Sequence, residues 1–117
     1  MKIFVYGTLR AGGSNHYLLQ NARLVAKEVY LSHYKMYNFG PYPFVVPCED
    51  ASRTIVGEIY EISPDMLPSL DRLEGTEEGL YERIFDERIE AWLYVRGQNA
   101  PHNLPEITSG DWFCRNE

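Results

Sequence analysis

Short apolar runs separated by polar turns follow one another along the chain, and this pattern is typical of β-strands. Ile3, Phe4 and Val5 form the first run, which ends near Tyr6. The later runs alternate apolar with polar residues or are rich in aromatic and β-branched residues. Together they predict strands at residues 3–6, 24–31, 34–37, 54–62, 81–90 and 91–96.

Two helix starts interrupt the strand pattern. Ser63 is a suitable N-cap, and Pro64 after it suits the first position of a helix. Pro68 either bends this helix or begins a shorter one. An earlier short helix is expected after Ser14 or Asn15, since both residue types cap helices well.

Prolines divide the stretch over residues 39–47, at Pro41, Pro43 and Pro47. Because proline has no backbone N–H for a ladder, this stretch is expected at a sheet edge or at the rim of a site. Residues 110–113 are expected to hold the tail against the body. Six or seven strands with two short helices predict an α+β fold whose sheet curls into a small β-barrel.

Length and charge exclude several classes of protein. The 117 residues fit one domain, over residues 1–117, and the formal net charge of −6 argues against a sequence-independent nucleic-acid binder. No apolar run approaches the ~20 residues of a membrane span, and no signal peptide opens the chain. A cytoplasmic protein without a nucleic-acid or membrane partner is the expectation, and the oligomeric state is left open.

Cysteine and histidine spacing gives no support for a metal site. Cys48 and Cys114 lie far apart, and the three histidines have no ligand-type spacing. A cysteine nucleophile paired with a histidine stays open at this stage, although nothing local in the sequence favours it. We expect no metal and no cofactor.

The turn Tyr6-Gly7-Thr8-Leu9, here called the Gly7 turn (residues 6–9), follows the first strand directly. Glycine lets the backbone approach a ligand closely, and a turn anchored to a strand end can present aligned N–H groups to a carboxylate or carbonyl oxygen. The alternative is a strand end whose amides are merely hydrated or bonded to a neighbour.

Glu74 is the candidate general base. Positions 67, 70 and 74 share one helical stripe, and Leu67 and Leu70 make that stripe apolar. Gly75 marks the end of the helix. Burial and nearby acidic residues would raise the pKa of Glu74, whereas a carboxyl turned to solvent after the helix end is the alternative.

Tyr81 and Arg83 lie two residues apart on a predicted strand and share one face. They either hold a substrate carboxylate or ring, or pack the sheet surface. Four further aromatic residues are candidates to line an apolar cavity or to pack in the core: Tyr42, Phe44, Trp92 and Tyr94.

Five motifs occur in an order that resembles the γ-glutamylcyclotransferase-like family, with the γ-glutamylamine cyclotransferases as the most similar branch. They are Tyr6-Gly7-Thr8-Leu9, Tyr42-Pro43-Phe-Val-Val, Gly57-Glu58-Ile-Tyr60, Leu70-Asp71-Arg-Leu-Glu74-Gly75 and Tyr81-x-Arg83. The resemblance extends from residue 1 to about residue 96. It implies a small mixed barrel with packed helices.

The resemblance also implies a reaction. The α-amine of a γ-glutamyl group attacks its own γ-carbonyl, which gives 5-oxoproline and a released amine. It further implies Glu74 as general base and acid, the Gly7 turn as the substrate-holding element, and Tyr81 near the pocket. The alternative is a non-catalytic module that binds a γ-glutamyl group or another small carboxylate on the same fold.

Overall fold

Seven strands form two sheets in the computed structural model, which describes residues 1–116. The sheets match the predicted number of strands, with boundaries that differ by a few residues. The strands are β1 (Lys2–Val5), β2 (Arg23–Ser32), β3 (Tyr34–Asn38), β4 (Pro43–Pro47), β5 (Thr54–Glu61), β6 (Tyr81–Asp86) and β7 (Ala91–Arg96).

The larger sheet has the strand order β2-β5-β1-β7-β6. Strand β1 lies at its centre, antiparallel to β5 and parallel to β7, with Ile3 opposite Trp92. The sheet is therefore mixed, and the predicted α+β class is confirmed. Because β1 is paired on both sides, the turn that follows it is attached to a rigid strand end.

The predicted small barrel is not confirmed, because the strands do not close into a barrel. Strands β3 and β4 form a separate two-stranded sheet, and β2 and β6 are the two edges of the larger one. Strand β4 begins at Pro43 and ends at Pro47, and it pairs with β3 alone. Prolines at both ends remove ladder donors, so β4 contacts β7 by packing without joining its sheet.

The helical segment after β5 begins with a 3-10 turn, Pro64–Met66, and continues as α1 (Leu67–Glu74). Pro68 lies in the first turn of α1, so the second of its two predicted alternatives, a shorter helix, is confirmed. Gly75 ends α1 in a left-handed conformation, with φ of 63°. This end places Glu74 at the last position of the helix.

The first predicted helix is only a 3-10 segment, His16–Leu19. Asn15 precedes it without capping it, because its side-chain amide donates to Thr8 Oγ1 at 3.0 Å. The strand predicted over residues 81–90 ends early, at Asp86, in a turn that includes Glu90 at φ of 51°. The predicted strand is therefore four residues longer than the observed one.

Alternate residues of β1 enter two different hydrophobic clusters. Phe4 and Tyr6 join one cluster, whereas Ile3 and Val5 join the other. Trp112 is buried in the first cluster, and Val56 N donates to Gly110 O at 3.0 Å. The prediction that residues 110–113 hold the tail against the body is confirmed.

No helix among residues 1–116 combines the length and the apolar character needed to cross a membrane.

Candidate active site

A cavity of about 110 Å³ lies at the carboxyl end of β1, between the Gly7 turn and α1. Its walls are mostly apolar, with one carboxyl group. The lining residues are Phe4, Val5, Tyr6, Gly7, Thr8, Leu9, Asn15, Tyr42, Pro43, Leu73, Glu74, Tyr81 and Tyr94. A cavity of this kind suits a small ligand rather than a polymer.

Three of the four carbonyl groups of the Gly7 turn are bonded to groups of the chain itself. Gly7 O accepts from Arg10 N at 3.0 Å, and Thr8 O accepts from Asn15 N at 2.9 Å. Leu9 O lies 2.9 Å from His16 Nδ1. These bonds fix the orientation of the peptide planes in the turn.

The N–H groups of Gly7, Thr8 and Leu9 are unpaired. Within residues 1–116, no protein acceptor takes a hydrogen bond from the N–H of Gly7, Thr8 or Leu9. Buried backbone N–H groups are seldom left without a partner, and all three residues line the cavity. Unpaired N–H groups beside a cavity can bind an oxygen that carries negative charge.

Gly7 is required by a close approach. A Cβ atom at this position would lie 2.9 Å from both Cγ and Cδ of Pro43. Pro43 begins β4 and is buried, so the ring has little room to move. The backbone of Gly7 and the ring of Pro43 are in direct contact and form this part of the cavity wall.

Glu74 supplies the carboxyl group of the cavity. It follows the apolar stripe of α1, in which Leu70 is fully buried. Burial, with a smaller contribution from the negative charge of Asp71, raises the pKa of Glu74 to about 8. The Glu74 side chain is half-buried and lines the cavity, rather than lying fully in solvent.

Asp71 lies one helical turn before Glu74, and its pKa is shifted in the opposite direction. Its carboxylate accepts two hydrogen bonds from Arg83, at 3.1 and 3.2 Å, and one from Tyr94 Oη at 2.6 Å. Burial acts to raise the pKa of Asp71, but the bonds from Arg83 and Tyr94 outweigh it and the pKa is lowered. Asp71 is thus the ionised carboxyl and Glu74 the titrating one.

Three tyrosines frame the cavity as neutral groups. Tyr6 Oη donates to Tyr94 O at 2.6 Å, and Tyr81 Oη donates to Pro43 O. Burial is the main cause that raises the pKa of Tyr6, Tyr81 and Tyr94. Their hydroxyl protons are committed to protein acceptors, and Glu74 is the carboxyl group among the cavity's lining residues.

The Cys–His alternative and the metal alternative find no support in this geometry. No cysteine or histidine of residues 1–116 lines the cavity. Nor does this part of the chain hold a cluster of three or more His, Cys, Asp or Glu side chains suited to a metal ion.

Residues 3–114 match the family described as γ-glutamyl cyclotransferase, AIG2-like. The chain belongs to this family. It is 38% identical over 119 residues to the γ-glutamylcyclotransferase family protein YtfP of Escherichia coli K12, covering all of both chains. It is 36% identical to a putative γ-glutamylcyclotransferase of Vibrio cholerae, over 97% of this chain and 96% of that protein.

Solved structures agree with this membership in the γ-glutamyl cyclotransferase family. The solution structure of E. coli YtfP superposes with a TM-score of 0.75 at 37% identity, over 100% of both chains. The crystal structure of an AIG2-like protein from Mus musculus gives a TM-score of 0.70 at 26% identity, over 89% of this chain and 83% of that one.

Most residues predicted for the site of this family member come together in the cavity. Glu74, the Gly7 turn and Tyr81 all line it, as do Tyr42 and Tyr94. The other two aromatic candidates do not, since Phe44 is fully buried in the core and Trp92 lies outside the cavity.

Arg83, the other candidate on this strand face, does not line this cavity. Its guanidinium binds Asp71 and lies over the Trp92 ring, 5.2 Å from the centroid. Asn15 and Leu73 line the cavity but were not predicted. Asn15 carried only a capping signal, and nothing in the pattern of α1 distinguishes Leu73 from a surface leucine.

Proposed function

We propose that the chain is a γ-glutamyl cyclotransferase whose reaction is intramolecular. The α-amino nitrogen of a γ-glutamyl substrate forms a bond to its own γ-carbonyl carbon, and the bond from that carbon to the leaving nitrogen breaks. The products are 5-oxoproline and a free amine. Family membership and the names of the relatives support this class of reaction.

One observation carries the proposal: a carboxyl group of raised pKa and three unpaired amides line the same small cavity. An intramolecular cyclisation needs no nucleophile from the protein. It needs a folded substrate, a group that moves protons, and donors for the oxygen that becomes negative. The cavity is small enough to hold a folded substrate, and its lining includes the carboxyl group and the residues of the unpaired amides.

The pKa of Glu74 suits proton transfer from an α-ammonium group. An ordinary carboxyl lies ~4 pKa units below an α-ammonium of pKa ~8, a mismatch of roughly 5 kcal/mol. With the pKa of Glu74 raised to about 8, the donor and the acceptor are nearly matched. Matched pKa values give general acid–base catalysis its best efficiency.

The proton then follows a closed path. Glu74 accepts a proton from the α-ammonium group, and the neutral amine attacks the γ-carbonyl carbon. The carbonyl oxygen gains negative charge, which the amides of the Gly7 turn stabilise. Glu74 donates its proton to the leaving nitrogen as the bond breaks. It then removes the second proton from the ring nitrogen and passes it to the released amine, which leaves as an ammonium ion, so Glu74 returns to its ionised state.

A substrate panel tests this proposal. The purified protein is incubated with γ-glutamyl amines and γ-glutamyl amino acids, and 5-oxoproline is followed by mass spectrometry. We expect 5-oxoproline and a stoichiometric amount of free amine from at least one compound. Saturable binding of these compounds without any 5-oxoproline would instead establish the non-catalytic binding module.

Within that panel we expect a basic leaving group to be preferred. Glu77 and Glu78 follow α1, are exposed and carry negative charge, and such charges attract a cationic amine and repel an acidic one. We expect kcat/KM for γ-glutamyl-ε-lysine to exceed that for γ-glutamyl-alanine about tenfold at low salt.

The control for this preference is the double variant Glu77→Gln/Glu78→Gln. It should reduce the ratio of the two kcat/KM values while kcat for the alanine compound stays unchanged. A ratio that is the same in the variant and in the wild type contradicts the electrostatic explanation.

A further inference from the structure

A buried charged cluster holds the chain immediately after the Gly7 turn. Arg10 Nε donates to Glu58 Oε2 at 3.0 Å, and Arg10 Nη1 donates to Asp111 Oδ1 at 2.8 Å. The side chains of Arg10 and Glu58 are only 10% and 9% exposed. These three residues, here called the Arg10 cluster, do not line the cavity.

Glu58 holds the backbone as well as the guanidinium. Its second oxygen, Oε1, accepts from Ala11 N at 2.9 Å and from Tyr60 Oη at 2.9 Å. One carboxylate therefore restrains both the side chain of Arg10 and the peptide that follows it. Glu58 itself stands on β5, opposite Val5 at the end of β1, so its position is fixed by the central sheet.

The C-terminal segment closes the other side of the cluster. Asp111 binds Arg10 and also accepts from Phe113 N at 3.0 Å. The Phe113 ring lies against the guanidinium, with the Arg10 carbon 4.3 Å from the ring centroid. Residues more than a hundred positions apart along the chain thus meet directly behind the Gly7 turn.

Stability alone is a poor reason for this cluster. A buried ion pair generally stabilises a fold no better than apolar side chains of the same volume, because removing the charges from water is costly. What such a pair does provide is a fixed geometry. Here the fixed point is adjacent to Leu9, which lines the cavity and whose N–H is unpaired.

We propose that Arg10, Glu58 and Asp111 are positioning residues for the Gly7 turn, and that they keep its three unpaired amides in place at the cavity. This inference rests on the proposed cyclotransferase reaction for its kinetic consequence. Its structural consequence concerns the free protein and stands independently of the reaction.

The test uses Arg10→Met combined with Glu58→Gln, so that the buried Glu58 carboxylate is not left without its Arg10 partner. We expect kcat to fall about 10- to 100-fold while KM changes less than about threefold, because displaced amides weaken transition-state binding. We also expect changed amide NMR shifts at Gly7, Thr8 and Leu9 in the ligand-free variant.

Arg23→Met is the matched control, since the Arg23 side chain is 71% exposed and lies 4.0 Å from Glu61. It should leave both kcat and the three amide shifts unchanged. If the double variant does not fold, Asp111→Asn replaces it, because that side chain is 29% exposed and keeps an acceptor oxygen. We expect a smaller loss of kcat and shifts at the same amides.

A folded variant with unchanged kcat and unchanged shifts at residues 7–9 overturns the inference. If the wild type forms no 5-oxoproline from any γ-glutamyl compound, the proposed function fails. The amide shifts of the ligand-free variants then decide the positioning role by themselves: altered shifts support it and unaltered shifts reject it.

Discussion

Replacing Glu74 with glutamine is expected to lower the rate of 5-oxoproline release by about 10³-fold or more. Glutamine keeps the size of the side chain but can neither accept nor donate the proton, and positioned acid–base groups typically contribute ~10²–10⁴-fold. Binding of a γ-glutamyl compound, measured by calorimetry, should survive because the cavity keeps its shape.

Glu78→Gln is the control for this substitution, since Glu78 is an exposed acid just beyond α1. It should retain wild-type kcat for the alanine compound. Near-normal turnover in Glu74→Gln, with the fold intact, would remove Glu74 from the mechanism.

The same variant has an expected effect on stability. A pKa raised from 4.5 to about 8 in the folded protein means that folding favours the protonated carboxyl. The folded state then binds more protons than the unfolded state between these values, so the wild type loses stability as pH rises from about 4.5 to about 8.

A glutamine at position 74 does not titrate, so the Glu74→Gln variant loses no stability for this reason as pH rises. Because Glu74 is partly exposed, we expect the stability of Glu74→Gln relative to the wild type to rise by about 2–3 kcal/mol between pH 4 and pH 9. Urea unfolding at the two pH values measures it, and a difference that does not change with pH contradicts the raised pKa.

Gly7→Ala is expected to reduce turnover strongly. The added methyl group would meet the Pro43 ring at 2.9 Å, so either the turn or β4 must move, and overpacking of this kind costs about 1–3 kcal/mol. Displacement of the turn carries its unpaired amides with it. We expect kcat/KM to fall about 10²-fold, measured by 5-oxoproline release.

Two further variants test whether contact with Pro43 causes the loss of activity. Ala51→Ser, which adds one heavy atom at an exposed position outside the cavity, should leave kcat/KM unchanged. Pro43→Ala in the Gly7→Ala background should recover part of the loss, because it removes the ring atoms that the methyl group meets. Equal losses in the single and double variants would show that contact with Pro43 is not the cause.

Local patterns in the sequence identified most of the candidate site. The Gly7 turn could be recognised because a strand ended in a glycine-bearing turn, and Glu74 because it continued an apolar helical stripe. Both signals depend on residues within one turn of each other along the chain. They needed no knowledge of which strands are neighbours.

Features that depend on distant parts of the chain could not be read in this way. The prolines of β4 correctly indicated an edge or a rim, but not that β4 would pair with β3 alone and leave the barrel open. Arg83 was placed on the correct strand face, yet its partner is Asp71 on α1. The strand face on which a residue lies does not identify the residue that its side chain contacts.

Asn15 shows the same limit at short range. Its residue type favours a helix cap, and the chain instead uses its amide to hold Thr8 Oγ1. The choice between these two hydrogen bonds is made by the position of the Gly7 turn. That position depends on the central sheet and on the Arg10 cluster, neither of which is visible in a local pattern.

A pH titration of the Glu74 side-chain carboxyl carbon by NMR tests the central claim most directly. The account predicts a single titration near pH 8 for this carbon, assigned by its absence in Glu74→Gln, while Asp71 titrates below its ordinary range. A Glu74 carboxyl that titrates near 4.5 would contradict the account, because a carboxyl with that pKa lies in water and not in the cavity beside the Gly7 turn.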